Sequence, residues 1–220
     1  MKKILLAGSS GMIGQLILQH ALAAPSIKEV VSLVRKPSSL QHPKLNEVVV
    51  NDFLDLSPLL NHFEQVEIVY YCIGVYTGTV DRDLFRRVTI DYPLALATAV
   101  RQKSPDHRFV LLSGQGADRK EKSKMMFALD KGIIENKLAA LLGTAFYSCR
   151  PGYIYPVTPR KEPSFAYVVS RKLYPVLKLL GKKMSITSEE LALAMFHIGL
   201  AQPKQLLFEN DHLRDYLESI

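Results

Sequence analysis

Gly8, Gly11 and Gly14 stand in a G-x-x-G-x-x-G pattern, Gly8-Ser9-Ser10-Gly11-Met12-Ile13-Gly14. The pattern follows the apolar run Ile4-Leu5-Leu6-Ala7 and opens an amphipathic run over 15–22. A strand that ends in such a turn and opens a helix aims free backbone N–H groups and the positive end of a helix dipole at one spot, and a pyrophosphate suits that spot. Gly8 permits the tight turn, Gly11 lets a phosphate approach the backbone, and Gly14 lets the helix pack closely on the sheet. The spacing is one residue longer than the G-x-G-x-x-G of many dinucleotide-binding turns. Glycines also make ordinary turns, so the weight lies in the position between strand and helix. A second group follows in Val31-Ser32-Leu33-Val34-Arg35-Lys36, which has no carboxylate at the strand end to accept from the ribose 2′-OH of NAD. Arg35 offers a planar fork suited to a 2′-phosphate, Lys36 adds charge, and Ser9 or Ser10 supplies a hydroxyl. These residues predict a bound dinucleotide, NADP before NAD.

Such groups need a scaffold, and strand-like runs alternate with helix-like runs. Residues 4–7, 29–34, 47–50, 67–72, 108–112 and 145–149 read as strands, and 12–22, 56–63, 81–102 and 122–142 as the helices among them. The alternation implies βαβ units, and the nearly continuous apolar strands imply burial on both faces. The expected fold is therefore α/β: a doubly wound parallel sheet of the Rossmann kind, in a single domain over 1–220. After Arg150-Pro151-Gly152, Pro156, Pro159 and Pro163 punctuate a loop, and Pro175 should kink or end any helix in 164–180. A helix is expected over 185–201, capped by Thr187 or Ser188 with Glu189 and Glu190 in its first turn, and another over 210–217. Residues 153–220 are expected to form a small helical C-terminal cap over the cofactor end.

In such a sheet, ligands lie outside the carboxyl ends of the strands. There, Asp52 is placed to bond an adenine amino group and Phe53 to cover the ring. Cys72-Ile73-Gly74 ends strand four, and its glycine lets the backbone approach the ribose and pyrophosphate. On the 122–142 helix, Phe127, Lys131, Ile134 and Leu138 share one stripe by spacing. The stripe is otherwise apolar and should face the sheet. A lysine there needs a partner, and ribose hydroxyls would serve; the other reading is a lysine snorkelling at the stripe's edge.

At 220 residues, 48% hydrophobic and 22% charged, the chain has the composition of an ordinary globular protein with a sizeable core. The net charge is +7, but no block of five like charges forms a nucleic-acid arm. A basic surface attracts an anionic cofactor, substrate or membrane. Cys72 and Cys149 each sit in a strand-like run and read as buried free thiols of a reducing compartment. The histidines show no metal-ligand spacing, and His107 and His197 read as surface or satisfied core residues. Met1-Lys2-Lys3 opens like a signal peptide, but Gly8-Ser9-Ser10-Gly11 interrupts the apolar stretch too early. No run of about 18 uncharged apolar residues exists to span a membrane, so a cytoplasmic chain is expected. The segment 165–183 carries Arg171, Lys172, Lys178, Lys182 and Lys183 among apolar residues. It either packs on the domain or forms an interfacial membrane anchor or partner surface.

The glycine pattern, Val34-Arg35, Asp52-Phe53, Cys72-Ile73-Gly74, Leu112-Ser113 and Arg150-Pro151-Gly152 together resemble the atypical or extended branch of the short-chain dehydrogenase/reductase superfamily. The resemblance covers about residues 3–155, and more loosely 186–200. Within that branch, Leu111-Leu112-Ser113 followed by Gly116-Ala117-Asp118 is similar to the Tat-interacting oxidoreductase-like subgroup. The resemblance implies an NAD(P) site that includes Arg150, Pro151 and Gly152. It also implies a catalytic set: a serine that polarises the substrate carbonyl, a tyrosine in Y-x-x-x-K that transfers the proton, and a lysine that binds the nicotinamide ribose and lowers the tyrosine pKa. Ser113 and Lys131 match those positions, whereas Phe127 stands where the tyrosine belongs. Phenylalanine has no hydroxyl, and loss of a positioned acid/base group costs about 10²–10⁴-fold in rate. Tyr71, Tyr76 and Tyr153 flank strand ends on the cofactor side. Tyr76 and Tyr153 are the better placed to substitute, or they simply line the pocket. Asp91-Tyr92 matches a family helix position and reads as packing. The helices 81–102 and 122–142 are the family's usual dimer surface, so the resemblance leaves the oligomeric state open between a monomer and a homodimer.

Three readings follow: an NADP-dependent oxidoreductase with a modified active site, a non-catalytic NADP(H)-binding redox sensor or regulator, and, more weakly, a nucleotide-sugar epimerase or dehydratase. No motif names the substrate.

Overall fold

The apolar runs assemble into a seven-stranded sheet in which every pairing is parallel. The computed structural model describes residues 1–158 and 181–220. Its strands are β1 (Lys2–Ala7), β2 (Ile27–Val34), β3 (Leu45–Val49), β4 (Val66–Tyr71), β5 (Arg108–Leu112), β6 (Phe146–Arg150), β7 (Tyr153–Tyr155), β8 (Ser185–Thr187) and β9 (Leu207–Glu209). The sheet order is β3-β2-β1-β4-β5-β6-β9, with β7 and β8 paired separately. The winding reverses between β1 and β4, where open α/β sheets leave a crevice for a ligand.

Six described helices flank this sheet or follow its edge: α1 (Met12–Ala23), α2 (Arg82–Arg86), α3 (Tyr92–Lys103), α4 (Met126–Leu142), α5 (Ser188–Ala201) and α6 (Asn210–Glu218). Alternate strand residues feed two cores. Ile4, Leu6, Ile68 and Tyr70 pack with Ile17 of α1 and Met195 of α5. Leu5, Ala7, Val69 and Tyr71 pack with Val100 of α3 and Ile134 of α4. This division follows from the strand's period of two.

Three local differences from the expected elements have physical causes. The run over 81–102 is not one regular helix: a π-helical turn, Arg87–Asp91, separates α2 from α3. Tyr92 N–H reaches back to Arg87 O, but the next residue, Pro93, has no N–H to give Val88 O. The Tyr71 hydroxyl donates to that carbonyl at 2.9 Å instead. Helix α4 starts at Met126, not at 122, because the Asp118 carboxylate takes the backbone N–H groups of Lys120, Lys122 and Ser123 at 2.8–2.9 Å. A side chain that captures these amides offers the backbone an alternative to helix. Residues 185–187 are strand β8, not helix, and Thr187 caps α5 in a reciprocal capping box with Glu190, as its residue type implies.

The described part of the C-terminal third does more than cover the cofactor end. Strand β9 extends the main sheet beside β6, and α5 packs on α1 and on the sheet. Tyr70 donates to Phe196 O at 2.8 Å, and a Cβ on Gly199 would lie 2.3 Å from the Tyr70 hydroxyl, so strand and helix meet closely. The basic segment 165–183 lies outside the described residues except for 181–183. There, Lys182 sits 2.7 Å from both Asp215 and Glu218 of α6. No described helix is long and apolar enough to cross a membrane.

Candidate functional site

A cleft of about 530 Å³ opens at the carboxyl ends of β1, β4, β5 and β6. Gly11, Met12 and Ile13 line it from the first turn, and Cys72, Ile73 and Gly74 from the end of β4. Ser113, Lys131, Pro151 and Gly152 line it from the other side. Thus these ten residues, all singled out from the sequence, converge on one cleft at the reversal of the winding, together with Tyr76, Phe127 and Tyr153.

The glycine turn has the geometry its spacing predicts. Gly8 has φ +97°, and a Cβ there would lie 2.8 Å from the Cys72 carbonyl carbon. At Gly14 a Cβ would lie 2.1 Å from Gly8 O, so α1 can approach the turn only because Gly14 has none. Helix α1 begins at a bare N-cap, Gly11, with no side-chain cap and no acidic residue in its first turn. Its leading N–H groups and positive dipole end are left for an anion from outside the helix. Ser32 donates to the buried Ser9 at 2.8 Å, which steadies the turn and leaves the Ser9 proton to give. At Gly74 the position of a Cβ is open space. These features fit a dinucleotide pyrophosphate.

The adenosine side is less assembled. Arg35 and Lys36 are exposed just past β2, and neither pairs with a carboxylate among the described residues. Ser10 is exposed in the glycine turn. Asp52 is exposed and accepts Leu54 N–H at 2.8 Å through one carboxylate oxygen. Phe53 is buried and stacks on Tyr92 with ring centroids 5.3 Å apart, so its ring belongs to the core.

On the chemical side, Ser113 donates its only side-chain proton to Glu135 at 2.6 Å. Glu135 is fully buried and also accepts from Ser148 at 2.8 Å and from Arg150 at 2.9 and 2.5 Å. Arg150 in turn reaches Glu209 at 2.8 Å. Arg150, expected at the cofactor, is therefore held inward by two carboxylates and does not line the cleft. Lys131 is 9% exposed and donates to Leu112 O at 2.9 Å. Burial pushes its ammonium down to about 8, against a smaller opposing pull from Glu135. The stripe is as spaced: Ile134 and Leu138 are fully buried, and Phe127 lines the cleft beside Gly114. A Cβ on Gly114 would collide with the tip of the Phe127 ring. Tyr71 is buried, and its hydroxyl is raised by burial and given to Val88 O, so it does not reach the cleft. Tyr76 and Tyr153 line the cleft, but the Tyr153 hydroxyl oxygen is buried. Burial pushes the Cys72 thiol up to about 12, which keeps it protonated.

Two carboxylates escaped the reading of the sequence. Glu135 follows Lys131 by four residues on the same helix face, which was the available signal. Asp130, also fully buried, is held by Arg82 through both terminal nitrogens and by Arg86 at 3.4 Å. It fixes α4 against α2 beside the cleft.

The model of a family described as NAD(P)H-binding matches residues 8–142. Protein fmp52, mitochondrial, of Emericella nidulans is 25% identical over 171 residues, which span 76% of this chain and 72% of that protein. Among solved structures, Gre2 of Candida albicans in complex with NADPH superposes with a TM-score of 0.69 at 12% identity, covering 96% of this chain and 78% of that one. The UDP-N-acetylglucosamine 4-epimerase of Bacillus cereus superposes with a TM-score of 0.68 at 15% identity, covering 94% and 78%. At such identities the two structures bear on the fold.

Proposed function

The chain belongs to the NAD(P)H-binding family, with a short-chain dehydrogenase/reductase-like Rossmann fold, and on that footing we propose that it is an NADP(H)-dependent oxidoreductase with a modified active site. The observation that carries this reading is the convergence on one cleft of the bare helix start, Ser113 and Lys131. A bound reduced nicotinamide supplies a hydride. The chain supplies the rest: the turn from Gly8 to Gly14 holds the pyrophosphate, Arg35 and Lys36 meet the 2′-phosphate, and Lys131 holds ribose hydroxyls. Asp52 faces the adenine side. Cys72, Ile73 and Gly74 approach the ribose and pyrophosphate, and Pro151 and Gly152 line the cleft on its other side.

Two observations favour a second reading, a non-catalytic NADP(H)-binding sensor: Phe127 has no proton to give, and the Ser113 proton is committed to Glu135. NADPH-dependent reduction of a panel of aldehydes, ketones and quinones separates the two. The oxidoreductase reading expects measurable reduction by the native chain, rising about 10²-fold or more in Phe127→Tyr as the acid/base group is restored. No reduction by either protein, with NADPH bound, supports the sensor.

A further inference from the structure

Apart from the Tyr76 hydroxyl, which the variant below tests, the cleft contains few groups able to move a proton. Phe127 has none, and Tyr71 gives its hydroxyl to Val88 O in the core. The Tyr153 hydroxyl oxygen is buried. Ser113 has one proton, and the buried Glu135 carboxylate holds it at 2.6 Å, so the hydroxyl turns acceptor lone pairs outward. Glu135 is itself fully buried away from the cleft and held by Arg150 through two nitrogens. Lys131 differs from all of these. It lines the cleft one helical turn from Phe127, and one backbone carbonyl, Leu112 O, takes one of its protons. An ammonium has three donors, so two remain. Leu112 directly precedes Ser113, which brings the ammonium and the serine oxygen to the same end of β5.

We propose that Lys131 exchanges the proton with the substrate oxygen, the task that the missing tyrosine would perform. This rests on the oxidoreductase reading. In reduction, the carbonyl carbon gains a hydride from the reduced nicotinamide cofactor. The C=O π pair moves to oxygen and takes a proton from the Lys131 ammonium. The products are an alcohol, the oxidised cofactor and a neutral amine, which regains its proton from water. Oxidation of the alcohol runs the same steps backward, with the amine as base. The surroundings suit the exchange. Cys72, just past β4, stays neutral, Asp130 is paired with Arg82 and Arg86, and Arg150 with Glu135 and Glu209. Burial is left as the main influence on the ammonium and brings it to about 8, near working pH, where general acid/base exchange is most effective. Ser113, as an acceptor, orients the donor.

Two measurements test this. Competitive acetylation of the free protein with acetic anhydride, read by peptide mass spectrometry, titrates each lysine without cofactor or turnover. Lys131 should titrate near 8; a value near that of an ordinary lysine, 10.5, overturns the proposal. In parallel, NADPH-dependent reduction of 9,10-phenanthrenequinone is followed against pH. The rate should fall about tenfold per pH unit above the Lys131 value, because the required ammonium is lost. Lys131→Arg keeps a cation for the ribose but holds its proton at any working pH. It should slow turnover about 10²-fold or more and abolish the alkaline fall. Tyr76→Phe should retain that fall whatever its rate. The proposal alone fails if Lys131→Arg turns over with the fall intact, or if Tyr76→Phe is the variant that removes it. Absence of quinone reduction by the NADPH-loaded native chain defeats the oxidoreductase reading, and this one with it.

Discussion

Glu135 has no solvent exposure, and its charge is tolerated because Ser113, Ser148 and Arg150 all donate to it. A buried ion pair contributes little net stability over a well-packed apolar pair, but breaking one by removing a single partner strands the other charge. Glu135→Ala should therefore lower stability by about 3–5 kcal/mol, measured as a loss in urea unfolding free energy. A loss under about 1 kcal/mol would mean that Arg150 finds solvent or Glu209 alone sufficient. The residue scale was also where the sequence was least legible. Phe127 and Lys131 could be placed because the stripe is apolar and its spacing helical. Glu135 could not, because a carboxylate on a helix is ordinarily a solvated one, and only the fold brings Ser148 and Arg150 from β6 to it. Phe53 was read as an adenine cover from its place after β3, whereas its ring stacks on Tyr92 in the core.

Among the elements, the turn between β1 and α1 was the most legible, since each glycine has a stated steric task. Gly14 packs against the Gly8 carbonyl with no room for a methyl group. Gly14→Ala must push α1 off the turn. It should cost about 1–3 kcal/mol in thermal or denaturant unfolding, and it should weaken NADPH binding more than Glu135→Ala does, because the N–H cradle moves. Unchanged binding in a folded Gly14→Ala protein would place the pyrophosphate elsewhere. The strand over 108–112 matches the structure, being a short apolar run between clear breaks. The π-helical turn before Pro93 was not legible, because its consequence depends on the Tyr71 hydroxyl arriving from β4 to take the freed carbonyl. Strand β9 is three residues long and gives no alternating pattern to read; its partner β6 makes it a strand.

At the scale of the whole molecule, the alternation of apolar runs was enough to predict a parallel doubly wound sheet, and the rule that ligands lie beyond the carboxyl ends of its strands was enough to predict which end carries the cleft; where the winding reverses is set by the strand order. The role of the C-terminal third was less legible: α5 and β9 are apolar by composition, but which surface they bury against is set by long-range contacts to α1, β4 and β6. The chain carries a net charge of +7, and Arg35 and Lys36 lie unpaired among the described residues at the end of β2. An anionic ligand with a 2′-phosphate gains two cations there that one without it does not. The most direct measurement is a calorimetric titration of the purified protein with NADPH and, in parallel, with NADH. NADPH should bind with a Kd on the order of micromolar, and NADH should bind about tenfold or more weakly, a difference of about 1.4 kcal/mol. Equal binding of the two would contradict the assignment to Arg35 and Lys36. Binding of neither would contradict the central claim that this cleft holds a nicotinamide dinucleotide.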